Sequence, residues 1–227
     1  MEIGIIGVGN IGGTLARQLA ALGHVVKIAN SRGPETLTGM ADEIGATAAT
    51  AEDAARAKDL VIISIPEKAV PDLPRDVLAA STAVIVDTGN YYPARDGRIA
   101  EIDNGMIESE WVARTIGRPV VKAFNHILSA SLAERGLPAG SPGRISLSIA
   151  GDDPKAKQLV LGFIDEIGFD GVDAGTLADS WRQQPGTPAY ARDLDAEARK
   201  AALAQADAGK IAEYRAEANE AAGAWFA

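Results

Sequence analysis

The sequence predicts an α/β fold, a doubly wound parallel sheet followed by a small C-terminal domain of mixed strands and helices. Three observations support this prediction. A glycine-rich turn lies between a short apolar run and a helical pattern at the start of the chain. Continuous apolar runs then alternate with helical patterns, which is typical of a parallel sheet covered by helices. A turn-rich segment, 136–143, separates this alternation from a second group of elements.

The first strand is the apolar run Ile3–Ile6, and the turn after it has the pattern Gly-x-Gly-x-x-Gly. Between a strand and a helix, this pattern is the fingerprint of the Rossmann dinucleotide-binding fold. The first glycine allows a tight turn, the second lets a pyrophosphate approach the backbone, and the third lets helix and strand pack closely. Free N–H groups at the helix start bind the phosphate. The predicted cofactor-binding residues of this motif are Gly7, Gly9, Asn10, Ile11 and Gly12.

The second strand, Val25–Ala29, ends in a tripeptide that predicts which dinucleotide is bound. NAD enzymes place an Asp or Glu there to bind the ribose hydroxyl, and that carboxylate would repel a 2′-phosphate. Asn30 carries no charge, Ser31 offers a hydroxyl donor, and Arg32 offers a guanidinium suited to phosphate. A polar turn without a cofactor role is the alternative. With the glycine motif upstream, the sequence predicts NADP(H).

The later elements complete a Rossmann domain over residues 1–142 and a small substrate or dimerisation domain over residues 143–227. In the first domain we predict a helix over 34–44, a short helix capped by Thr50, and strands at 60–65, 83–87 and 119–124. In the second we predict a strand at 144–150, a helix at 154–167, a strand at 169–173, and one or two helices after Asp193.

Polar residues close two of these strands, at the edge of the sheet where ligands bind. Ser64, Ile65 and Pro66 are predicted to pass beneath the riboses of the cofactor, although a strand ended by proline explains the same residues. In the turn Asp87–Tyr92, Asn90 is predicted to contact the nicotinamide end. A capping aspartate and core tyrosines are the alternative explanation of that turn.

Two titratable residues at the end of strand 119–124 are the candidate proton donors. Lys122 lies in a run that is otherwise apolar, and a buried lysine is costly unless it has a partner or faces an open cleft. His126 follows the strand and either donates a proton to a substrate or is a histidine satisfied within the fold. We predict catalytic roles for both and keep the structural alternative open.

Composition restricts the class of protein. The net charge of −9 argues against a nucleic acid or an anionic membrane as partner. The absence of cysteine excludes disulfides, thiolate metal sites and a thiol nucleophile, and two histidines without a nearby acidic cluster argue against any metal site. No apolar run has the length of a membrane span, and the first strand begins too early for a signal peptide. We therefore expect a cytoplasmic enzyme or binding protein with a small-molecule partner.

Five segments together resemble a known family. These are Gly7–Gly12, Ala29–Arg32, Ser64–Pro66, Asp87–Pro93 and Lys122–Asn125. They are similar to the bacterial dinucleotide-binding enzymes related to the coenzyme F420-dependent NADP oxidoreductases. The resemblance implies a Rossmann domain, a small C-terminal domain over the nicotinamide and often a homodimer. It also implies that Ser31 and Arg32 hold the 2′-phosphate.

The same resemblance implies direct hydride transfer, because the founding members reduce a deazaflavin without an essential acid–base residue. The Asp87–Pro93 turn and the chain after Trp181 do not match deazaflavin-binding residues that we can identify, so a flavin or another small acceptor is also considered. Two alternatives stay open. One is a carbonyl or imine reductase, and the other is an NADP-binding redox sensor without turnover. The glycine fingerprint is common to enzymes and sensors and does not separate them.

Overall fold

The computed structural model describes residues 1–226, in which six strands form one parallel sheet in the order β3-β2-β1-β4-β5-β6. The chain reverses its direction of winding between β1 and β4, and this order is that of the Rossmann fold. Two further strands pair in parallel with each other. The strands are β1 (Glu2–Ile6), β2 (Val25–Ala29), β3 (Thr47–Ala48), β4 (Leu60–Ile63), β5 (Val84–Asp87), β6 (Val121–Lys122), β7 (Ser146–Ile149) and β8 (Asp170–Asp173).

Helices cover both faces of the large sheet and form most of the C-terminal part of the described chain. The α-helices are α1 (Asn10–Ala21), α2 (Thr38–Ile44), α3 (Ala51–Ala55), α4 (Arg75–Ala80), α5 (Pro93–Asp96), α6 (Ala100–Asp103), α7 (Glu108–Ile116), α8 (Ser129–Glu134), α9 (Pro154–Glu166), α10 (Ala196–Gln205) and α11 (Ile211–Phe226). Short 3-10 helices lie at Pro34–Leu37, Glu67–Asp72, Leu177–Gln183 and Ala208–Lys210.

The core explains why the strands are continuous apolar runs. Successive side chains of a strand point to opposite faces, and both faces of this sheet are covered, so neighbouring residues such as Ile62 and Ile63 are both buried. Ile62 packs in the cluster that contains Leu15 of α1, whereas Ile63 packs in the cluster that contains Trp111 of α7. The predicted Rossmann sheet is confirmed.

The C-terminal elements extend one of these clusters. Leu147 and Phe163, from β7 and α9, pack in the same cluster as the Rossmann strands. Lys122 and Ala150 exchange two backbone hydrogen bonds, of 2.8 and 3.0 Å, which join the small sheet to the end of β6. The turn-rich segment lies where it was predicted, between α8 and β7. The elements before and after it nevertheless share one hydrophobic cluster. Division into two domains stays a prediction.

One predicted strand is shorter than its sequence suggests. Residues 119–124 were predicted as a strand, but β6 contains only Val121 and Lys122. Phe124 has a φ of 62°, in the left-handed region that a non-glycine residue rarely adopts, so the chain leaves the sheet there. This early exit turns the backbone of Asn125 and His126 toward the C-terminal elements.

The last helix returns to the Rossmann sheet. The side-chain oxygen of Asn219 in α11 accepts a hydrogen bond of 2.8 Å from the backbone N–H of Ala94, and Arg215 donates to the carbonyl of Ile102 at 3.3 Å. The α11 helix therefore packs beside α5 and α6, the two short helices that come after β5 in the chain. Within residues 1–226, no helix combines the length and the apolar character that crossing a membrane requires.

Candidate functional site

The glycine turn brings β1, α1 and the end of β4 into close contact. Gly7 has a φ of 98°, and a Cβ on it would collide with the carbonyl oxygen of Ser64. A Cβ on Gly12 would collide with the carbonyl oxygen of Gly7. Gly9 differs, since no atom lies within 4 Å of the position its Cβ would occupy. The first and third glycines thus serve packing, and the second leaves open space in front of the helix.

That open space adjoins uncapped N–H groups. Gly9 is the N-cap of α1 and provides no side-chain cap, and the first turn of the helix contains no acidic residue. Gly9 and Asn10 are exposed. A helix start of this kind has unsatisfied donors and a positive dipole end, which together favour a phosphate group. The geometry fits the pyrophosphate of a dinucleotide.

The turn after β2 has one structural residue and two exposed ones. The side-chain oxygen of Asn30 accepts a hydrogen bond of 2.9 Å from the backbone N–H of Arg32, and its amide donates to Thr36 Oγ1 at 2.9 Å. Asn30 therefore shapes the turn. Ser31 and Arg32 are exposed, and the guanidinium of Arg32 has no hydrogen bond or ion pair with any described residue. Both side chains are available for a 2′-phosphate.

The turn after β4 lies directly beside the glycine motif. A Cβ placed on Gly7 would come within 2.7 Å of Ile65 Cγ2 and would meet the backbone of Ser64. Ser64, Ile65 and Pro66 are each partly exposed. They therefore lie at the crevice between β1 and β4, where the winding direction changes and where dinucleotides bind in such sheets.

At the ends of β5 and β6, the polar groups are bonded to one another. Lys122 Nζ donates to Asp87 Oδ2 at 3.0 Å and to the carbonyl of Gly89 at 2.6 Å. Asp87 also accepts from the Gly89 N–H at 2.8 Å and from the Ser109 hydroxyl at 2.9 Å. Asp87 is the turn cap that the sequence left open as an alternative.

Lys122 remains charged inside the protein because carboxylates surround it. Its side chain is 0% exposed. Burial alone would lower the pKa of Lys122, but the acidic side chains beside it, Asp87 first among them, outweigh that effect and raise the pKa. Both hydrogen bonds of the charged Lys122 are made to Asp87 and Gly89, so the lysine stabilises the Gly89 turn. No described contact of Lys122 reaches open solvent.

His126 is fully buried and neutral. The backbone N–H of Ser148 donates to His126 Nε2 at 3.1 Å, so Nδ1 carries the proton and lies 3.3 Å from Asn125 Oδ1. Burial lowers the pKa of His126 well below its ordinary value, and the positive charges of Arg199 and Lys122 lower it further. The imidazole therefore joins the β6 end to β7.

Amides and phenols extend this network toward the C-terminal elements. Asn90 donates to the carbonyl of Asn125 at 2.7 Å, and the Asn125 amide donates back to Asn90 Oδ1 at 3.0 Å and to the carbonyl of Gln183 at 2.8 Å. The hydroxyls of Tyr92 and Tyr190 lie 2.7 Å apart. These bonds hold the turn after β5, the turn after β6 and the 177–183 helix in one arrangement.

Comparison with known proteins places this geometry in a family. The family model described as NADP oxidoreductase, coenzyme F420-dependent, matches residues 2–91. The solved structure of the hypothetical protein SMa0349 from Sinorhizobium meliloti is 34% identical, with a TM-score of 0.70, and the match covers 86% of this chain and 95% of that one. The chain belongs to the coenzyme F420-dependent NADP oxidoreductase family. The predicted family, fold and enzyme class, an NADP-dependent oxidoreductase, are confirmed.

Two further relatives define how far this family likeness extends. A proposed F420-dependent NADP reductase from Arthrobacter sp. FB24 is 26% identical, with a TM-score of 0.66, and the match covers 79% of this chain and 87% of that one. The protein YjhV of Escherichia coli K12 is 48% identical over 60 residues, which are 26% of this chain and 44% of YjhV. The match therefore spans less than half of the length of YjhV.

In this member of the family, the predicted cofactor residues come together at the carboxyl edge of the sheet. The glycine motif, the Asn30–Arg32 turn and Ser64–Pro66 border the β1–β4 crevice, and Asn90 lies further along the edge. Lys122 and His126 lie beneath that edge and are buried. Their geometry favours a supporting role, and their catalytic role stays a prediction.

Two buried residues of this edge have little or no signal in the sequence. Glu67 is fully buried beside the Gly89 turn, and its only sequence signal is an acid directly after a proline at a strand end. Gln183 is also fully buried and donates to Asn125 Oδ1 at 3.0 Å, across 58 residues of chain. A glutamine in the polar run after Trp181 carries no signal of such a contact.

Proposed function

We propose that this protein binds NADP(H) along the carboxyl edge of the sheet and transfers hydride between its nicotinamide and a flavin-like ring or another small acceptor. The pyrophosphate would lie at the start of α1, and the 2′-phosphate beside Ser31 and Arg32. Ser64–Pro66 would border the riboses, and Asn90 the nicotinamide end. Exposure and free donors at the first two places support this assignment.

One observation carries the choice of acceptor class. Lys122 and His126, the titratable residues predicted as proton donors, are both 0% exposed and bonded within the fold. Hydride transfer between two stacked rings depends chiefly on distance and orientation, which a preorganised pocket supplies. Reduction of a carbonyl or imine needs, in addition, a proton donor within hydrogen-bond reach of the substrate. Because Lys122 and His126 are buried and hydrogen-bonded within the fold, we favour hydride transfer between two rings.

A second candidate, reduction of a carbonyl or imine, is favoured by Tyr190. The residue is partly exposed, and its hydroxyl lies 2.7 Å from that of Tyr92 and accepts from the Asn90 amide at 3.4 Å. Burial raises the pKa of Tyr190 well above its ordinary value, and the neighbouring Tyr92 raises it further, so the phenol keeps its proton. The protonated phenol can donate a hydrogen bond that polarises a carbonyl or imine held beside it, but its raised pKa makes it a weak proton donor.

The test is anaerobic oxidation of NADPH and of NADH, followed at the nicotinamide absorbance. The acceptor panel contains FMN, FAD, coenzyme F420 and a set of small aldehydes, ketones and cyclic imines, and nucleotide binding is titrated in parallel. Turnover with one ring acceptor supports the proposal. Turnover with carbonyls or imines alone supports the second candidate. Tight NADPH binding without turnover on the whole panel supports a redox sensor instead.

Homodimer formation and a cytoplasmic location are also proposals. The family resemblance and the Ala-rich α10 and α11 support a subunit contact, and the acidic net charge of −9 suits a protein of the cytoplasm. Light scattering coupled to gel filtration distinguishes a monomer of 23.5 kDa from a dimer.

A further inference from the structure

Among the residues that the structure describes, Glu67 is a buried acid without a hydrogen-bonding partner. It is the first residue of the 3-10 helix that follows the Ser64–Pro66 turn, and it is 0% exposed. Within the described chain, neither of its carboxyl oxygens has a hydrogen-bond partner. Buried polar atoms are nearly always bonded, so two orphan oxygens on one side chain require an explanation.

The carboxyl group lies against the turn that follows β5. A Cβ built on Gly89 would come within 2.5 Å of Glu67 Oε1 and 2.6 Å of Oε2, so any larger residue there would have to displace the Glu67 carboxyl group. Gly89 and Asn90 belong to the turn that would border the nicotinamide end of the cofactor. Glu67 therefore contacts that turn from inside the protein.

Charges from four elements face Glu67, and the cations among them are already bonded elsewhere. Lys122 of β6 donates to Asp87 of β5 and to the Gly89 carbonyl. Arg95 of α5 pairs with Asp96 at 2.9 Å. Glu108 of α7 accepts from the Tyr91 N–H and lies 3.7 Å from Arg215 of α11.

The neutral form of Glu67 is the one that this environment favours. Burial raises its pKa well above the ordinary value of 4.5, Asp87 and Glu108 raise it further, and Lys122 and Arg95 only partly oppose them. A second carboxylate beside the Asp87–Lys122 pair would be buried without a hydrogen-bonding donor, which is unfavourable. The raised pKa thus favours a proton on Glu67, where three carboxyl groups meet.

We propose that Glu67, as a neutral acid, positions the Gly89–Asn90 turn for the nicotinamide end of the cofactor, and that its ionisation displaces this turn and weakens NADPH binding. The inference rests on the proposed function, because it uses the assignment of this turn to the nicotinamide. Glu67 acts through the turn and is not assigned any contact with the cofactor.

The turn is sensitive to a negative charge on Glu67 because two of its carbonyl oxygens accept hydrogen bonds from cations that also face Glu67. The carbonyl of Gly89 accepts from Lys122 at 2.6 Å, and the carbonyl of Asn90 accepts from Arg95 at 2.5 Å. A negative charge on Glu67 would repel both carbonyl oxygens and compete for the same two cations. Displacement of the turn would also disturb the amide pair of Asn90 and Asn125.

The experiment measures the dissociation constant of NADPH between pH 5 and pH 9 for the wild type, Glu67→Gln and Asp72→Asn. Asp72→Asn is the matched control, since it changes an exposed acid to its amide on the same 3-10 helix. We expect the ratio of the wild-type to the Glu67→Gln dissociation constant to rise by about threefold or more with pH. Titration of the 2′-phosphate affects every protein alike and cancels in that ratio.

Two further measurements separate this inference from the proposed function. The fragment 2′,5′-ADP lacks the nicotinamide end, so its binding should show no such change in the ratio. A carbon-13 label in the glutamate carboxyls should show one signal that is absent from Glu67→Gln and titrates above 4.5 in the wild type. A Glu67 signal that titrates near 4.5, or a constant NADPH ratio, would overturn the inference. Failure of the protein to bind NADPH and 2′,5′-ADP would overturn the proposed function as well.

Discussion

The two ends of the candidate cofactor site are built in opposite ways. At the phosphate end, Gly9, Ser31 and Arg32 are exposed, and the N–H groups at the start of α1 have no side-chain cap. At the nicotinamide end, Asp87 is 1% exposed and Lys122 is 0% exposed, and both are bonded to the fold. One end keeps its polar groups available for a ligand, and the other uses them to hold its own backbone.

This difference predicts two kinds of damage. A substitution at the phosphate end should weaken nucleotide binding and leave the free energy of unfolding nearly unchanged. A substitution at the nicotinamide end should lower the free energy of unfolding, because it leaves buried charges or polar atoms without partners. The predictions below test this division, from the largest expected effect to the smallest.

Replacement of the buried lysine should have the largest effect. In Lys122→Met, Asp87 remains as a buried charge without its cation, and the Gly89 carbonyl loses a donor. We expect the free energy of unfolding to fall by about 3–5 kcal/mol. Urea denaturation followed by circular dichroism measures the loss.

The double variant Asp87→Asn/Lys122→Met is the control for this charge. It removes both ends of the ion pair, so it should recover a large part of the stability that the single variant loses. A Lys122→Met protein with wild-type stability and abolished turnover would show that Lys122 acts on the substrate and does not support the turn.

Two glycines of the same motif should respond differently to alanine. The Cβ of Gly12→Ala would meet the backbone of Gly7, which cannot move aside as a flexible side chain does. We expect a loss of about 3 kcal/mol in the free energy of unfolding. The Cβ of Gly9→Ala meets no atom within 4 Å. Its stability should fall by less than about 1 kcal/mol, the effect of a poorer N-cap.

Although Gly9→Ala should cost little stability, it should weaken NADPH binding strongly. Its methyl group would occupy the space in front of α1, so we expect NADPH to bind about tenfold or more weakly to a folded protein. Calorimetric titration of both nucleotides measures this change. Unchanged NADPH affinity in Gly9→Ala would place the pyrophosphate elsewhere.

Removal of the exposed guanidinium tests the choice of nucleotide. Arg32→Ala should weaken NADPH binding by about 1–3 kcal/mol and leave NADH binding nearly unchanged, because only the 2′-phosphate loses a charged hydrogen bond. Arg17→Ala, which removes an exposed arginine paired with Glu43 on the outer side of α1, is the matched control. Equal losses for NADPH and NADH would mean that Arg32 is structural.

The sequence signal for the phosphate end is local, whereas its role in binding stays a prediction. The glycine motif, the β2 strand and the Asn30–Arg32 turn follow one another along the chain, and each residue type has a direct backbone reason. The nicotinamide end depends on contacts across the fold. Lys122 could be recognised as needing a partner, since a lysine in a buried strand is unfavourable alone, but its partner Asp87 lies 35 residues away.

Other features of that end had no sequence signal. Phe124 adopts the left-handed conformation that ends β6 early, and a phenylalanine, unlike a glycine, does not indicate such a conformation in the sequence. The carboxyl group of Glu67 lies against Gly89, which is 22 residues away in the chain, and the bond between Gln183 and Asn125 depends on how the C-terminal elements pack against the sheet. Such contacts are decided by tertiary packing, which residue patterns along the chain do not contain.

The smallest expected effect is the contribution of neutral His126 to the pH dependence of the free energy of unfolding. Burial lowers the pKa of His126 in the folded protein, whereas the unfolded chain binds a proton near the ordinary value of 6.5. Below that pH the unfolded state therefore holds the additional proton, so the free energy of unfolding falls as the pH falls. Between pH 7 and pH 5.5, His126 should account for a loss of about 1 kcal/mol.

His126→Gln isolates this contribution, because glutamine does not titrate and its side-chain oxygen can still accept from the Ser148 N–H. The decline in unfolding free energy between pH 7 and pH 5.5 should be smaller in the variant than in the wild type, measured by urea denaturation at each pH. Equal slopes would mean that His126 gains its proton in the folded protein as readily as in the unfolded chain. That result would return it to the candidates for proton transfer, since a histidine that can be charged near neutral pH is an effective proton donor.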